Sequence, residues 1–373
     1  MMANSAGTLE PLSSQPPSLV GRPQLDLVQA LRGVAAFAVL THHIAVAVDC
    51  WFGETFTPPG FGLGWVGVDL FFVLSGFIMV WTTQTTGQGL RPAAAFWTRR
   101  IWRIYPSYWA ASGLALALAA ALPAIAPTDS AGFWASLLLW PAAQQPFLQP
   151  GWTLIYELWF YLAFGFLLLA PRRFLGALLL GWALGVLIAA WRLGQDIHPA
   201  LHVVANPLTL NFLMGAGVAL ALERWSRSPP ALGLYGLIGF GGLWLLAGAL
   251  FVTETGWNEW TRMLACGPAS ALVLAGAALM DRQCRWSPPQ ALLTLGDWSY
   301  ALYLTHQPIV YAATMLSAQA LGVGWAGAAV AAFAGIALSV VAAATLHLAL
   351  EKPAQTFGRR LSEAIARETA WRP

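Results

Sequence analysis

The sequence has few charged residues: Asp, Glu, Lys and Arg make up 9% of its 373 residues, whereas hydrophobic residues make up 58%. A soluble globular domain carries about 25% charged residues. The composition therefore excludes an ordinary soluble protein and predicts an integral membrane protein. Apolar stretches near the roughly 20-residue length of a membrane-spanning helix recur along the whole chain and leave no room for a soluble domain.

Cysteine is also scarce, and the three residues, Cys50, Cys266 and Cys284, lack the spacing of metal ligands. No metal site is therefore expected. Cys50 and Cys266 can lie on the same side of the membrane, which leaves a disulfide between them open. The net charge of +3 is spread over several loops, so the sequence gives no support to a nucleic-acid partner.

The first residues are rich in Ser and Pro and lack both an apolar core and the positive start of a cleavable signal peptide. We expect residues 1–26 to be a disordered cytoplasmic tail. The membrane domain is expected at 27–352, followed by a short cytoplasmic tail at 353–373. Because the chain ends there, no appended extracytoplasmic domain is expected.

The apolar runs predict an all-α, polytopic integral membrane protein with about ten transmembrane helices. The expected spans are about 27–48, 65–84, 101–122, 152–170, 174–191, 207–222, 231–252, 262–281, 292–316 and 324–350. The stretch AGFWASLLLWPA at 131–142 is too short to span and ends near Pro141. It is expected to be an interfacial or re-entrant segment.

Basic and acidic residues alternate between the loops that these spans define. One set of loops carries Arg91, Arg99, Arg100, Arg172, Arg173, Arg224, Arg227, Arg282, Arg285, Lys352, Arg359 and Arg360. The opposite set carries Asp49, Glu54, Asp129, Asp196, Glu254 and Glu259, with Arg192 and Arg262 only at helix edges. By the positive-inside rule, the first set and both termini are expected on the cytoplasmic side.

The first span, LRGVAAFAVLTHHI at 31–44, contains a cation and two imidazoles. Arg32 and His43 are eleven residues apart, so they lie on the same helix face, roughly 16 Å apart along the axis. Charged groups inside a membrane usually face protein or water. The alternative is that Arg32 reaches the inner interface while His43 caps the outer one. His42 points about 100° away and is assigned no chemistry.

Asp69 lies in the second span at the expected depth of His43. A carboxylate paired with this imidazole would hold one tautomer and raise its basicity, as a general base requires. The alternative is a structural hydrogen bond between helices. In the same span, Ser75 and Gly76 are small enough to allow close helix approach.

The sequence FWTRRIWRIYPSYW brings Arg99, Arg100 and Arg103 to the expected cytoplasmic mouth. Arg100 and Arg103 are three residues apart and project from neighbouring helical positions. The cluster is typical of a positive-inside anchor. Guanidinium groups also bind phosphates, so an anionic cytoplasmic ligand is the alternative.

Two further spans contribute polar groups. Glu157 lies about one and a half turns into the fourth span, with Tyr161 one turn further along. The ninth span brings Ser299, Tyr300, Tyr303 and, further out, His306. The predicted outer layer therefore holds His43, Asp69, Glu157 and His306, and the inner layer holds Arg32, Arg100 and Arg103. No chemical role is assigned to His198, His202 or His347.

Together these motifs resemble the membrane acyltransferase-3 family of integral membrane O-acyltransferases. The resemblance covers about residues 24–352 and rests on the Arg32–His43 pair, GVDLFFVLSGFIM at 67–79, RRIWRIYP at 99–106, PGWTLIYELWFY at 150–161 and SYALYLTH at 299–306. The PGWTL motif and NPLTLNFLMGAGVAL at 206–220 look most like the branch that acetylates bacterial exopolysaccharides such as succinoglycan.

The resemblance implies transfer of an acyl group, usually acetyl, from cytoplasmic acetyl-CoA to a hydroxyl of an extracytoplasmic or lipid-linked glycan. It implies that Arg32 and His43, and also Arg100 and Arg103, are needed for activity. In the mechanism expected here, His43 is the base and is paired with Asp69 or Glu157. Donor binding is expected at Arg32, Arg100, Arg103 and Tyr300, and acceptor binding at Glu157, Tyr161 and His306. The expected setting is the bacterial cytoplasmic (inner) membrane, with polysaccharide-biosynthesis proteins as further partners.

Two other classes of function fit ten spans with buried charges. A transporter of a sugar or anionic solute is one, although the sequence has no internal repeat and its polar groups form two layers instead of one midplane site. A scaffold within a polysaccharide-export complex is the other. Direct transfer and an acyl-histidine intermediate both remain open for the enzyme.

Overall fold

The computed structural model describes residues 25–53, 56–57, 60–193, 197–225, 230–283 and 286–367. Residues 1–24 of the expected N-terminal tail lie outside these ranges. So do five residues named above: Glu54, Asp196, Arg227, Cys284 and Arg285. Every regular element within them is helical. The α-helices are α1 (Asp26–Phe52), α2 (Gly67–Thr82), α3 (Leu90–Ala121), α4 (Phe133–Leu138), α5 (Gly151–Leu167), α6 (Leu175–Leu193), α7 (Pro199–Ala205), α8 (Thr209–Arg224), α9 (Ala231–Thr255), α10 (Glu259–Arg282), α11 (Gln290–Leu321), α12 (Trp325–Leu346) and α13 (Lys352–Arg367).

Shorter helical turns connect some of these helices. Three are 3-10 turns, at Phe61–Val66, Pro123–Ile125 and Arg172–Phe174. A π-helical turn at His347–Glu351 joins α12 to α13.

All ten predicted spans coincide with helices of the structure. Seven helical stretches in the described ranges are long and apolar enough to cross a membrane: Asp26–Phe52, Phe61–Thr82, Arg172–Leu193, Pro199–Arg224, Ala231–Thr255, Glu259–Arg282 and Trp325–Ala366. The other three predicted spans correspond to α3, α5 and α11, of which α5 is apolar but only 17 residues long. The number of ten crossings and the side of each terminus stay predictions.

The structure corrects the predicted edge of the third span. Arg91, Arg99 and Arg100 lie inside α3, not in a loop, because this helix starts at Leu90 and has 32 residues. Its first turns pack on α13, where Trp102 and Phe357 have ring centroids 4.5 Å apart. The contact with α13 therefore continues the helix beyond its apolar part.

Most residues of α2, α8 and α10 are buried, whereas only a minority of those of α6, α9 and α12 are. This difference is expected if α6, α9 and α12 face lipid. The core between α2, α5 and α8 is aromatic. Phe212 is fully buried, and its ring centroid lies 4.6 Å from those of both Phe72 and Phe160.

Glycines allow the central helices to approach closely. A Cβ atom on Gly76 would lie 1.8 Å from the carbonyl oxygen of Phe212, and one on Gly215 would lie 1.8 Å from that of Val73. The predicted close approach at Gly76 is therefore confirmed for the crossing of α2 and α8. Gly33 and Gly296 serve the crossing of α1 and α11 in the same way.

The start of α1 is held by a neighbouring helix. Its preceding residue, Leu25, supplies no side-chain cap. Instead, the backbone N–H groups of Leu27 and Val28 donate to the carboxylate of Asp281 in α10, over 2.9 Å to Oδ1 and 3.2 Å to Oδ2 respectively. This cap and the Gly33–Gly296 crossing fix α1, which carries Arg32 and His43.

We predict that Gly215→Ala destabilises the protein, because the added methyl group meets the backbone of α2. Overpacking of this kind costs about 1 to 3 kcal/mol. The measurement is the thermal unfolding midpoint of the purified protein in detergent. Gly217→Ala is the matched control, since a Cβ at Gly217 in the same helix has no neighbour within 4 Å. Equal midpoints for the two variants would contradict the prediction.

Candidate functional site

Two histidines from different helices meet near one end of α1. His306 of α11 is buried, and its Nε2 lies 3.2 Å from Nδ1 of His43, with ring centroids 4.7 Å apart. The Nδ1 atoms also face backbone carbonyls: His43 Nδ1 lies 3.0 Å from Val39 O, and His306 Nδ1 lies 3.0 Å from Leu302 O. The structure therefore brings the predicted outer residues His43 and His306 together.

These contacts define the tautomers. A carbonyl oxygen can only accept a hydrogen bond, so each neutral ring carries its proton on Nδ1. His306 Nε2 is then a hydrogen-bond acceptor. The Nδ1–H of His43 is shared between two acceptors, His306 Nε2 and Val39 O. The lone pair of His43 lies on Nε2, and the His306 imidazole holds the His43 ring in that state. The arrangement has the logic of a base oriented by a second group.

The predicted pairing of Asp69 with His43 is wrong. Asp69 is completely buried and accepts hydrogen bonds from Arg262 Nε, at 3.1 and 2.9 Å to its two oxygens, and from Asn211 Nδ2 at 2.9 Å. The physical reason is that a fully buried carboxylate needs a cation and direct donors, which α10 and α8 supply. His306 stands where the carboxylate partner of His43 was expected.

The cavity beside the two histidines has a volume of about 200 Å³. This histidine cavity lies between α1, α5, α10 and α11. Its polar lining consists of His42, His43, Gln145, Gln149, Arg262, Tyr303 and His306. His42 lies at the wall, where its Nδ1 is 2.6 Å from the carbonyl oxygen of Gly62.

A second cavity, the arginine cavity, lies nearer the N-terminus of α1. Its polar lining consists of Arg32, Ser75, Arg103, Thr153, Glu157, Ser299, Tyr300 and Tyr303. Arg32 donates to Gln29 Oε1 at 3.1 Å, and the Arg103 guanidinium lies 6.0 Å from the centroid of the Tyr300 ring. The structure thus unites Arg32, Arg103 and Tyr300, three of the four residues at which donor binding was expected.

Glu157 belongs to the arginine cavity and not to the histidine layer in which it was predicted. Its Oε1 accepts hydrogen bonds from Ser75 Oγ at 3.2 Å and from Tyr161 OH. It also interacts electrostatically with Arg32, Arg100 and Arg103. The positive groups attract the carboxylate, and their proximity explains why it lies at this depth.

Arg100 extends the positive region. Its guanidinium lies between the rings of Phe96 and Tyr161, 5.2 and 5.3 Å from their centroids. Its Nη2 lies 3.4 Å from Thr82 Oγ1, and its buried Nε has no hydrogen-bond partner. An unpartnered donor beside further guanidinium groups fits an anionic ligand such as a phosphate.

Val68 and Tyr303 line both cavities and form the wall between them. The Tyr303 hydroxyl lies 2.8 Å from Thr153 Oγ1, and its ring is 5.9 Å from that of His306. One face of α1 therefore carries Arg32 in one cavity and His43 in the next, as the eleven-residue spacing predicted. The two cavities therefore adjoin at these side chains.

The sequence interpretation missed two groups at these cavities. Glu351 is buried in the π-helical turn, binds His347 Nδ1 at 2.9 Å, and acts electrostatically on Arg32 and Arg103. Its spacing of four residues from His347 was the available signal. Arg262 was treated as a helix-edge cation, although a buried Asp69 requires a cationic partner. Cys50 and Cys266 are free, so the disulfide between them does not form.

The fold and the two adjoining cavities define a multi-pass membrane protein with one cavity lined by arginines and a second lined by histidines. The chain belongs to the acyltransferase-3 family: the family's acyltransferase domain matches residues 25–344. The resemblance seen in its motifs is confirmed. The protein is therefore a membrane acyltransferase.

Three curated proteins are similar to this chain. Exopolysaccharide production protein ExoZ of Rhizobium meliloti (strain 1021) is 29% identical over 83% of this chain and 96% of its own length. Acyltransferase MdmB of Streptomyces mycarofaciens is 30% identical over 95% and 97%. Nodulation protein 10 of Rhizobium leguminosarum bv. viciae is 27% identical over 70% and 74%. No solved structure matches the chain.

We predict that His306→Ala slows acyl transfer by about 10- to 100-fold, less than loss of the base itself, because the orienting acceptor for His43 Nδ1–H is removed. His306→Gln should recover part of the rate, since its amide oxygen can accept that hydrogen bond. Initial rates of purified protein in liposomes measure the effect. His198→Ala, which alters a cap on α7, is the control. Identical rates for the Ala and Gln variants would argue against an orienting role.

Proposed function

We propose that this protein transfers an acetyl group from cytoplasmic acetyl-CoA to a hydroxyl of an extracytoplasmic or lipid-linked glycan, in the inner membrane of a bacterium. The observation that carries the proposal is that α1 contributes Arg32 and His43 to two cavities that share one wall. The similarity to ExoZ, an exopolysaccharide production protein, supports a glycan acceptor.

The arginine cavity has a volume of about 50 Å³ and is lined by Arg32 and Arg103, with Arg100 beside it, and these charges favour a phosphate group of the donor. Arg32, Arg100 and Arg103 provide three guanidinium groups, against the two carboxylates Glu157 and Glu351 that act on them. The excess positive charge favours a phosphate. The positive-inside pattern supports a cytoplasmic position for this end of the bundle.

In the proposed reaction, His43 Nε2 takes the proton from the glycan hydroxyl as that oxygen attacks the carbonyl carbon of the thioester. The carbon–sulfur bond then breaks, and the His43 imidazolium returns the proton to the departing thiolate. The products are the sugar ester and free CoA. His306 keeps the His43 ring oriented throughout, and Tyr303 must move aside for the thioester to reach the base.

An acyl-histidine intermediate uses the same free Nε2 as a nucleophile. Incubation with radiolabelled acetyl-CoA in the absence of glycan distinguishes the two routes. Label bound to protein, and lost in His43→Gln, supports the covalent route. Absence of protein-bound label while transfer proceeds on adding glycan supports direct attack.

We predict that His43→Ala abolishes acetyl transfer, a loss of at least about 100-fold, because the imidazole that His306 orients, and whose free Nε2 takes the proton, is removed. The assay follows acetyl-CoA consumption and glycan esterification by protein in liposomes. His198→Ala again serves as the control for a histidine outside both cavities. Full activity of an inserted His43→Ala protein would refute the proposed base.

We further predict that Arg103→Gln raises the KM for acetyl-CoA by at least about tenfold, because a phosphate contact in a partly buried site is lost. The KM for acetyl-pantetheine, which lacks the nucleotide phosphates, should change much less. Arg173→Gln is the matched control, since Arg173 lies in a connecting turn and stacks on Phe174. If Arg103→Gln changed the KM values for acetyl-CoA and acetyl-pantetheine equally, Arg103 would not bind a phosphate of the donor.

The liposome assay also tests the transporter alternative, which the family comparisons do not favour. Turnover of acetyl-CoA coupled to esterification supports the enzyme. Uptake of sugar or anions without turnover would support a carrier.

A further inference from the structure

Arg262 occupies an unusual position at the start of α10. Only 5% of the residue is exposed, and its Nε holds both oxygens of the fully buried Asp69. Asn211 of α8 donates to the same carboxylate. The charge of Arg262 is thus offset inside the protein, and its position is fixed by two other helices.

The far end of the Arg262 guanidinium lacks a partner. Its Nη2 is buried without a hydrogen bond. Three indole rings surround the group: its Cζ lies 5.2 Å from the centroid of Trp65, 5.7 Å from that of Trp152 and 5.4 Å from that of Trp257. A buried donor left unpaired is unfavourable unless a ligand completes it. The surroundings are aromatic, so a ligand that also has an apolar face fits them.

Arg262 lies between two cavities. It lines the histidine cavity and also an adjoining cavity of about 460 Å³, and Gln145, Trp152 and Trp257 are likewise shared by both. Trp257 is well exposed, in the connection between α9 and α10. The shared residues therefore make the two cavities neighbours, and an acceptor that enters from the exposed Trp257 would pass the indole rings and the guanidinium before it reaches His43.

The charges at this position favour a neutral ligand. Asp69 already compensates Arg262, and the adjoining cavity is lined by Glu259, whose Oε1 lies 3.3 Å from His202 Nε2 and accepts from Asn206 Nδ2. An anionic ligand would meet this carboxylate without an uncompensated cation to bind it. A neutral oxygen can accept from Nη2, and the C–H face of a sugar ring can stack on an indole.

We propose that Arg262, Trp152 and Trp257 form a subsite that binds a neutral sugar residue of the glycan acceptor beside His43. The inference rests on the proposed acetyl transfer and specifies where, and through which chemistry, its acceptor binds. Arg262 donates from Nη2 to a hydroxyl or ring oxygen, and the indole rings cover the apolar face of the sugar.

The test uses the full-length protein in liposomes, with acetyl-CoA as the donor. The acceptor is the glycan fraction extracted from cells in which the gene is deleted, applied by weight. Trp257→Ala removes one stacking ring from an exposed connection. Arg262→Lys keeps a cation beside Asp69 but is one bond too short to place a donor where Nη2 lies.

Both variants are expected to raise the KM for the glycan fraction at least tenfold and to change the KM for acetyl-CoA less than twofold. Trp191→Ala and Arg192→Lys, at the end of α6 and outside these cavities, are the matched controls. An unchanged KM for the glycan in Trp257→Ala, or an equal rise in both KM values, overturns the subsite. If the wild-type protein esterifies no glycan at all, the proposed function itself fails.

A second arm tests the neutral character of the ligand. Reduction of the carboxyl groups of the glycan fraction to alcohols should leave its KM with the wild-type protein within twofold. A rise of tenfold or more after reduction would overturn recognition of a neutral sugar and indicate an anionic one.

Discussion

The hydrogen-bonded group formed by Asp69, Asn211 and Arg262 is the interaction on which the histidine-cavity end of the structure depends. It joins α2, α8 and α10, and the Asp69 carboxylate at its centre is completely buried, where water cannot satisfy it. Removing one partner would leave another charge buried alone. The need to pair Asp69 therefore fixes where α10 begins relative to α2, and with it the position of the wall formed by Arg262 and the tryptophans.

The need to pair buried charges is met less completely at the arginine cavity. There, the cations outnumber the carboxylates that act on them, and Arg100 keeps an unpartnered Nε. A membrane protein retains such an imbalance at a cost, because charged groups are poorly solvated within the bundle. The charges of Arg262 and Asp69 compensate each other, whereas the arginines at the arginine cavity keep an excess positive charge that an anion can neutralise. This contrast is the physical basis for assigning the donor to one end and the acceptor to the other.

The side chains of Val68 and Tyr303 form a partition between the two cavities. Tyr303 is held by Thr153 and lies against His306, so the residue that divides the cavities also borders the base. An enzyme that uses a reactive thioester gains from keeping water on the far side away from the donor until the acceptor arrives. The partition is made of side chains and not of backbone, and side chains can change rotamer without moving a helix.

The sequence by itself determined the membrane class, the ten helical segments, the family and the separation of arginines from histidines along the chain. These features follow from composition, the length of apolar runs and local motifs, all of which are short-range properties. Only the tertiary structure decided the partners. Asp69 and Arg262 are 193 residues apart, and His43 and His306 are 263 apart. Which side chains meet across such distances depends on which helices adjoin, and that is set by contacts such as Gly76 on Phe212 and Gly33 on Gly296. Shared depth in the membrane placed His43, Asp69 and His306 in one layer, but depth carries no information about rotation around the bundle axis.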